Sequence, residues 1–213
     1  MNSKKDRKLK RGVLIVIEGI DGAGKSTQAE RLLKFLSDNG YDALGLTEPT
    51  DGVWGKKIRE MALRGEREDA PEEEYRLFTL DREENVEKNI APALKDKKTV
   101  VLDRYYFSTM AYQGARGLDP RRIMEESGEF APMPDLVFLI DIPVDESLKR
   151  IKMGRGGFSP FEREEYLKKV KEIFDREVAP LSCVVMVDGT KGEEAVFEEI
   201  RDLVMELLAP LTL

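Results

Sequence analysis

Short apolar runs rich in β-branched residues alternate along the chain with longer segments whose apolar positions recur every three to four residues. Most of the short runs are apolar throughout, which is typical of strands covered on both faces of a sheet. They predict strands at Val13–Glu18, Ala43–Thr47, Thr99–Asp103, Leu136–Ile142 and Val184–Asp188. The longer segments predict helices at Ser26–Asn39, Val53–Arg64, Pro71–Leu94, Tyr106–Ala111, Asp145–Ile151, Glu162–Ala179 and Glu193–Leu208.

This alternation predicts an α/β fold of three layers, α/β/α, with a mainly parallel, five-stranded sheet. No linker rich in Pro, Gly or Ser divides the chain, so residues 12–213 are expected to form one domain. The basic residues 1–11 are expected to be a solvated tail. The irregular stretch MGRGGFSP at Met153–Pro160 has basic residues before it and predicts a lid-like segment at about 149–163.

Composition and charge narrow the class of function. The formal net charge of −7 argues against a nucleic-acid partner, because such proteins usually present a broad basic surface. No apolar run approaches the roughly 18–20 residues that span a bilayer, so no membrane partner is expected. The single cysteine fits a reducing cytoplasm. Histidine is missing, so catalysis must depend on carboxylates, cations, backbone amides and a metal.

The most specific motif is GIDGAGKS at Gly19–Ser26, which fits G-x-x-x-x-G-K-[ST] at every position. It follows the first predicted strand and opens the first predicted helix, as a phosphate-binding loop does. Lys25 can then reach the β- and γ-phosphates of ATP, and the hydroxyl of Ser26 can bind Mg²⁺. The fold is therefore expected to be that of a P-loop NTPase. The predicted ATP-binding residues here are Gly19, Asp21, Gly22, Ala23, Gly24, Lys25, Ser26 and Thr27.

A second candidate site lies where the third predicted strand ends, at Asp103-Arg104. In a parallel sheet the carboxyl ends of the strands gather at one edge, where ligands bind. Asp103 is predicted to lie near the metal. Arg104 is predicted to be catalytic, because a guanidinium there can neutralise charge that develops during phosphoryl transfer. The competing interpretation is a surface ion pair.

At this point the chain resembles the thymidylate kinase family. The resemblance rests on EGIDGAGKST at Glu18–Thr27, TEPTDG at Thr47–Gly52, LFTLDR at Leu77–Arg82, DRYYFSTMAYQG at Asp103–Gly114 and FERE at Phe161–Glu164. It extends over nearly the whole chain from about Val13. It implies an enzyme that transfers the γ-phosphoryl group of ATP to dTMP, giving dTDP and ADP, with Mg²⁺ as cofactor. It also implies a homodimer.

The resemblance assigns roles in the acceptor site. Phe78 and Arg82, four residues apart on one helix face, are expected to stack on thymine and to donate to its carbonyl edge. Tyr112 is expected to crowd the 2′ position of the sugar, and Asp21 to approach its 3′-hydroxyl and act in catalysis. Four further residues are expected to line the pocket: Pro49, Ser108, Thr109 and Gln113.

The lid departs from the family pattern. Relatives whose phosphate loop lacks an arginine, as here at Gly22, often carry Asp-Arg just before F-E-R-E, where this chain has Ser159-Pro160. We predict that Arg155 supplies the missing catalytic cation and that Arg150 contacts the adenine of ATP. The alternative is that these cations belong to a solvated, basic helix end.

Two other functions stay open on the sequence alone. Deoxynucleoside kinases carry a stretch like Glu48-Pro49 followed by Trp54, and their glutamate takes the proton of a neutral 5′-hydroxyl. Glu48 could be such a base, with thymidine as the acceptor. The altered lid also allows a nucleotide-binding regulator or an inactive paralogue.

Overall fold

The architecture comes from a computed structural model that describes residues 7–64, 71–152 and 160–213. Its centre is a sheet of five strands: β1 Val13–Glu18, β2 Ala43–Thr47, β3 Thr99–Asp103, β4 Leu136–Asp141 and β5 Val184–Asp188. The strands lie in the order β2-β3-β1-β4-β5, and every neighbouring pair is parallel. The predicted α/β class and parallel five-stranded sheet are confirmed.

Strand β1 lies at the centre of the sheet, and all of its residues are buried. Ile17 is in register with Asp103 of β3 on one side and with Phe138 of β4 on the other. The chain leaves β1 towards β2 on one flank and later fills the other flank with β4 and β5. The carboxyl end of β1 is therefore the switch point at which ligands bind in open α/β sheets.

Helices cover both faces of the sheet within the described ranges. They are α1 Lys25–Asp38, α2 Val53–Leu63, α3 Pro71–Asn85, α4 Ala91–Lys95, α5 Tyr106–Gly114, α6 Pro120–Gly128, α7 Val144–Lys152, α8 Pro160–Ile173 and α9 Glu193–Leu208. A 3₁₀ turn at Ala209–Leu211 follows α9. No helix among these ranges is both long and apolar enough to cross a membrane.

Two predicted helices contain a wide turn. The predicted helix Pro71–Leu94 is α3 and α4 joined by a π-helical stretch, Val86–Ile90, just before Pro92. Proline lacks the N–H that an α-helical bond at this position needs, and a wider turn accommodates that loss. The predicted helix Glu162–Ala179 is α8 followed by a second such stretch, Phe174–Val178.

Helix α6 was not predicted from the sequence. It begins with local signals that are typical of a helix start: the side chain of Asp119 accepts from the N–H of Arg121, and Pro120 occupies the first turn. Only nine residues long, it presents a narrow apolar side, with Ile123 fully buried. Its periodicity was therefore too short to stand out.

The expectation that residues 1–11 form a solvated tail is wrong for the described part of that segment. Leu9 is buried and forms a β-bridge with Thr212, and Arg7 forms another with Tyr41. The backbone N–H of Lys10 donates to the carbonyl of Leu211 at 2.8 Å. One apolar side chain among the basic ones is enough to attach the segment to the core.

A buried glycine, Gly55, lets α2 pack closely on the loop that follows β2. A Cβ added at Gly55 would lie 1.8 Å from the backbone oxygen of Thr50, so the loop or the helix would have to move. We expect Gly55→Ala to lower the free energy of unfolding by about 2–3 kcal/mol, as overpacking does. Urea denaturation monitored by circular dichroism measures this change.

Gly128→Ala is the matched control, at the end of α6. Among the described residues, nothing lies within 4 Å of a Cβ added there. The free energy of unfolding of that variant should rise by about 0.4–1 kcal/mol, because alanine lowers the conformational entropy of the unfolded chain. An equal response of the two variants would contradict the packing argument.

Candidate active site

The phosphate-binding loop connects β1 to α1, at the carboxyl edge of the sheet. Gly19, Gly22 and Gly24 all have positive φ, at 142°, 78° and 95°. At Gly19, a Cβ would lie 2.5 Å from the carbonyl oxygen of Ile140 on β4, so only glycine fits. No side chain caps α1 at Gly24. The first N–H groups of this helix therefore remain available for a phosphate.

Lys25 is buried beneath this loop, and its Nζ donates to the carbonyl of Ile20 at 2.8 Å. Burial, assisted by the charge of Arg104, lowers the pKa of Lys25 to about 7. The nearby carboxylates of Asp21, Asp103 and Glu18 only partly oppose that shift. Because the ammonium is poorly compensated in the free protein, an anionic phosphate is a favourable partner for it.

The predicted metal ligands, Ser26 and Asp103, are adjacent. The Ser26 hydroxyl donates to Oδ2 of Asp103 at 2.5 Å. The other carboxylate oxygen, Oδ1, is buried and accepts no hydrogen bond from any residue in the described ranges. A hydroxyl and an unused carboxylate oxygen suit Mg²⁺, which takes few protein ligands beside phosphates and water. The residues present therefore fit a magnesium ion.

Arg104 lies between the phosphate loop and the neighbouring pocket. Its backbone φ is 70°, which is uncommon for a residue other than glycine. Its backbone N–H donates to the carbonyl oxygen of Ile17 at 3.1 Å. The guanidinium donates to Oγ of Ser108 at 3.1 Å, forms an ion pair with Asp21 and lies 5.2 Å from the ring centre of Tyr112. The site thus holds a cation where two ligands could meet.

Glu18, the last residue of β1, holds the residues around Arg104 in position. It is fully buried and accepts three hydrogen bonds, from the N–H groups of Tyr105 and Ser108 and from the Ser108 hydroxyl. Burial raises the pKa of Glu18, although Ser108 and Arg104 oppose that rise. Sequence reasoning assigned Glu18 no role of its own. Its position as the one carboxylate in an otherwise apolar predicted strand is the sequence feature that could have marked it as a site residue.

A pocket of about 160 Å³ opens beside Arg104, between α3, α5 and the loop after β2. All the residues predicted to bind the acceptor line it: Asp21, Pro49, Phe78, Arg82, Arg104, Ser108, Thr109, Tyr112 and Gln113. Glu48, the candidate base of the nucleoside-kinase alternative, lines it too, and so do four residues that were not predicted to do so: Glu74, Tyr105, Arg116 and Tyr166.

Arg82 is fully buried and held in a fixed orientation. Its Nε donates to Glu48 at 2.9 Å and its Nη2 to the hydroxyl of Thr109 at 2.8 Å. The third nitrogen, Nη1, is buried without a partner in the described ranges. The other oxygen of Glu48 accepts from Asn85 at 3.1 Å. Burial raises the pKa of Glu48 against the opposing charge of Arg82.

Arg150, predicted to contact adenine, lies beside the phosphate loop. It donates to the carbonyls of Gly22 at 3.3 Å and Gly189 at 3.1 Å, and it pairs with Glu146. In the same helix α7, Ser147 donates to the carbonyl of Asp21 at 2.6 Å and so braces the loop. Arg155 and most of the lid-like segment lie outside the described residues.

A family model described as thymidylate kinase matches residues 17–200. The chain belongs to the thymidylate kinase family. That match extends across the phosphate loop, the pocket and all five strands except the first residues of β1. The resemblance stated from the sequence is therefore confirmed.

Individual relatives of the family support the same assignment. A probable thymidylate kinase of Archaeoglobus fulgidus is 44% identical over 196 residues, which are 92% of this chain and 96% of that protein. A thymidylate kinase of Akkermansia muciniphila is 44% identical over 192 residues, or 90% and 91% of the two chains. A probable thymidylate kinase of Pyrococcus horikoshii is 41% identical over 206 residues and is matched over its whole length.

Proposed function

We propose that the chain is a thymidylate kinase that transfers the γ-phosphoryl group of ATP to dTMP, giving dTDP and ADP. The observation that carries this proposal is the position of Arg104. Its guanidinium contacts Asp21 of the phosphate loop and Ser108 of the neighbouring pocket. A donor phosphate on the loop and an acceptor phosphate at the pocket mouth would both reach this cation.

On the donor side, the backbone amides of Gly22–Ser26 and the Lys25 ammonium bind the β- and γ-phosphates of ATP. Ser26 and Asp103 would hold Mg²⁺, which would neutralise phosphate charge. The contacts of Arg150 with the carbonyls of Gly22 and Gly189 support the proposal that it contacts the adenine. Arg155 as a lid cation stays a prediction, and so does the homodimer.

On the acceptor side, the polar atoms left without partners match thymine. Arg82 directs only donors at its ligand, and its unused Nη1 suits the carbonyl O4 of the base. The unpartnered Oε1 of Gln113 suits the N3–H of the base. Phe78 and Pro49 supply apolar walls. Tyr112 and Asp21 face the sugar, at its 2′ and 3′ positions.

The reaction requires no general base, because an oxygen of a nucleoside monophosphate is already an anionic nucleophile. The catalytic tasks are to align two anions and to disperse the charge of the transferring group. Lys25 and Arg104 supply the cations for these tasks. A chain without histidine can carry out this chemistry.

The geometry at Glu48 disfavours a thymidine kinase. A base for a 5′-hydroxyl must take a proton from the substrate. The two oxygens of Glu48 each accept one hydrogen bond, from Arg82 and from Asn85, so this carboxylate already serves as a partner of Arg82. We therefore assign Glu48 the role of orienting Arg82. An inactive regulator is disfavoured by the phosphate loop and pocket, which contain the groups the reaction needs.

An ADP-release assay with ATP and Mg²⁺ tests the proposal across dTMP, dUMP, UMP, dCMP, AMP and thymidine. We expect dTMP to give the highest kcat/KM and EDTA to abolish turnover. Faster turnover of thymidine, lost in Glu48→Gln, would establish the nucleoside kinase instead. ATP binding without transfer to any acceptor would establish the regulator.

A further inference from the structure

Glu74 is a buried carboxylate at the base end of the pocket, and the proposed reaction leaves it without a role. It lies on α3, one helical turn before Phe78 and two turns before Arg82. These three residues share one helix face, so Glu74 points to the same pocket as the two base-binding residues. Only 1% of Glu74 is exposed. A buried carboxylate needs partners that compensate its charge.

One partner of Glu74 is the side-chain amide of Gln113, whose Nε2 donates to Oε2 at 3.0 Å. An ionised carboxylate only accepts hydrogen bonds, so the NH₂ group of the amide must face it. The amide oxygen Oε1 then faces the opposite way. It is buried and accepts no hydrogen bond from the described part of the chain, and Gln113 lines the pocket.

A second partner of Glu74 is Arg116, whose Nη1 forms an ion pair with the same carboxylate. The guanidinium of Arg116 lies 5.2 Å from the ring centre of Tyr166, and the Tyr166 hydroxyl donates to the carbonyl of Tyr112 at 2.9 Å. Helices α3, α5 and α8 therefore fix the arrangement together.

We propose that Glu74 is a positioning residue for pyrimidine specificity: it locks the Gln113 amide with its oxygen towards the base. An acceptor at that place pairs with the N3–H of thymine or uracil and opposes the N3 lone pair of cytosine. This inference rests on the proposed function, since it names how that site chooses its base. In this proposal Glu74 acts on the substrate through Gln113.

Removing the carboxylate charge should release the amide. In Glu74→Gln, the new side-chain NH₂ can donate to Oε1 of Gln113, so the Gln113 amide can rotate and present its own NH₂ to the pocket. Cytosine N3 would then find a donor. Arg82 still opposes the cytosine amino group, so the relaxation is partial.

The test compares kcat/KM for dTMP and dCMP in the full chain and in Glu74→Gln. We expect the dTMP:dCMP ratio to fall about 10-fold, as for one mismatched buried hydrogen bond. The change should appear in KM rather than kcat, because base binding is the same in the ground and transition states. Glu74→Asp keeps an acceptor and should retain the ratio within about 3-fold of the original.

A Gln113→Leu background separates positioning from a general structural effect. There Glu74→Gln should leave the dTMP:dCMP ratio unchanged, because the amide it acts through is gone. An unchanged ratio in Glu74→Gln alone, or an equal change in both backgrounds, overturns the proposal. Should Glu74→Gln fail to fold, Glu74→Met with Arg116→Met removes both charges together and should lower the ratio similarly.

Calorimetric binding of dTMP and dCMP distinguishes failure of this inference from failure of the proposed function. A parent chain that binds dTMP but does not turn it over contradicts the proposed function and still allows the base-selectivity test. A parent chain that binds dTMP and dCMP equally well contradicts the inference even where dTMP is phosphorylated.

Discussion

Arg104→Ala is expected to lower kcat for dTMP phosphorylation by about 10³-fold or more, the effect of losing a transition-state cation in phosphoryl transfer. The physical reason is position: the guanidinium contacts both the phosphate loop, at Asp21, and the acceptor pocket, at Ser108. No other arginine in the described ranges lines the pocket and also contacts Asp21. Steady-state kinetics with saturating ATP and dTMP measure the loss.

Arg176→Ala is the matched control, since this arginine is largely exposed and pairs with Glu172 and Glu177 on the surface. Its kcat should stay within about twofold of the parent value, because exposed ion pairs contribute little. Near-normal turnover in Arg104→Ala would reject the catalytic role and leave the surface ion-pair interpretation. A thermal melt of each variant shows whether the fold survives.

Lys25→Ala is expected to abolish measurable turnover. In the proposed reaction the ammonium contacts the β- and γ-phosphates and neutralises the negative charge of the phosphoryl group that is transferred. Coupled-assay rates and ATP affinity both report this loss. Burial lowers the pKa of Lys25, which means that its charged form destabilises the free protein. We therefore expect the melting temperature of the variant to be no lower than that of the parent chain.

Lys34→Ala on the same helix, α1, provides the comparison. This lysine is exposed and pairs with Asp38, away from the loop. Its rates should match those of the parent chain. If Lys25→Ala kept substantial activity while binding ATP normally, the phosphate loop would not be the donor site.

The sheet and the phosphate loop could be predicted from the sequence, because both depend on local patterns. Apolar runs indicate strands buried on both faces, and the glycines with positive φ are visible as a motif. Phe78 and Arg82 were placed together because a helix brings residues four apart to one face. The pocket confirms that placement.

The network behind the pocket could not be predicted, because it joins residues from separate elements. Glu74 looked like one of three successive glutamates at the start of a helix, a pattern typical of a solvated first turn. Its burial and its contacts with Gln113, 39 residues later, and with Arg116 distinguish it. The role of Glu18 is likewise visible only in the structure, where it accepts a hydrogen bond from Ser108, 90 residues later in the chain.

The open question about Glu48 was also one of tertiary contacts. As a sequence position, Glu48 is compatible with a base for a neutral hydroxyl and with a structural carboxylate. The choice depends on the contacts of its carboxylate, which accepts hydrogen bonds from Arg82 and Asn85. The sequence alone does not show those contacts.

The β-bridge between Leu9 and Thr212 has a practical consequence for handling the protein. Both segments lie beyond the amino ends of the strands, on the side of the molecule opposite the ligand edge. An affinity tag or a sensor-chip tether attached directly at Arg7 or at Leu213 would therefore leave the nucleotide entrance facing the solvent. Because the backbone of Leu213 also donates to the carbonyl of Lys8, a short peptide could join Arg7 to Leu213, so that new ends could be opened elsewhere for a reporter fusion.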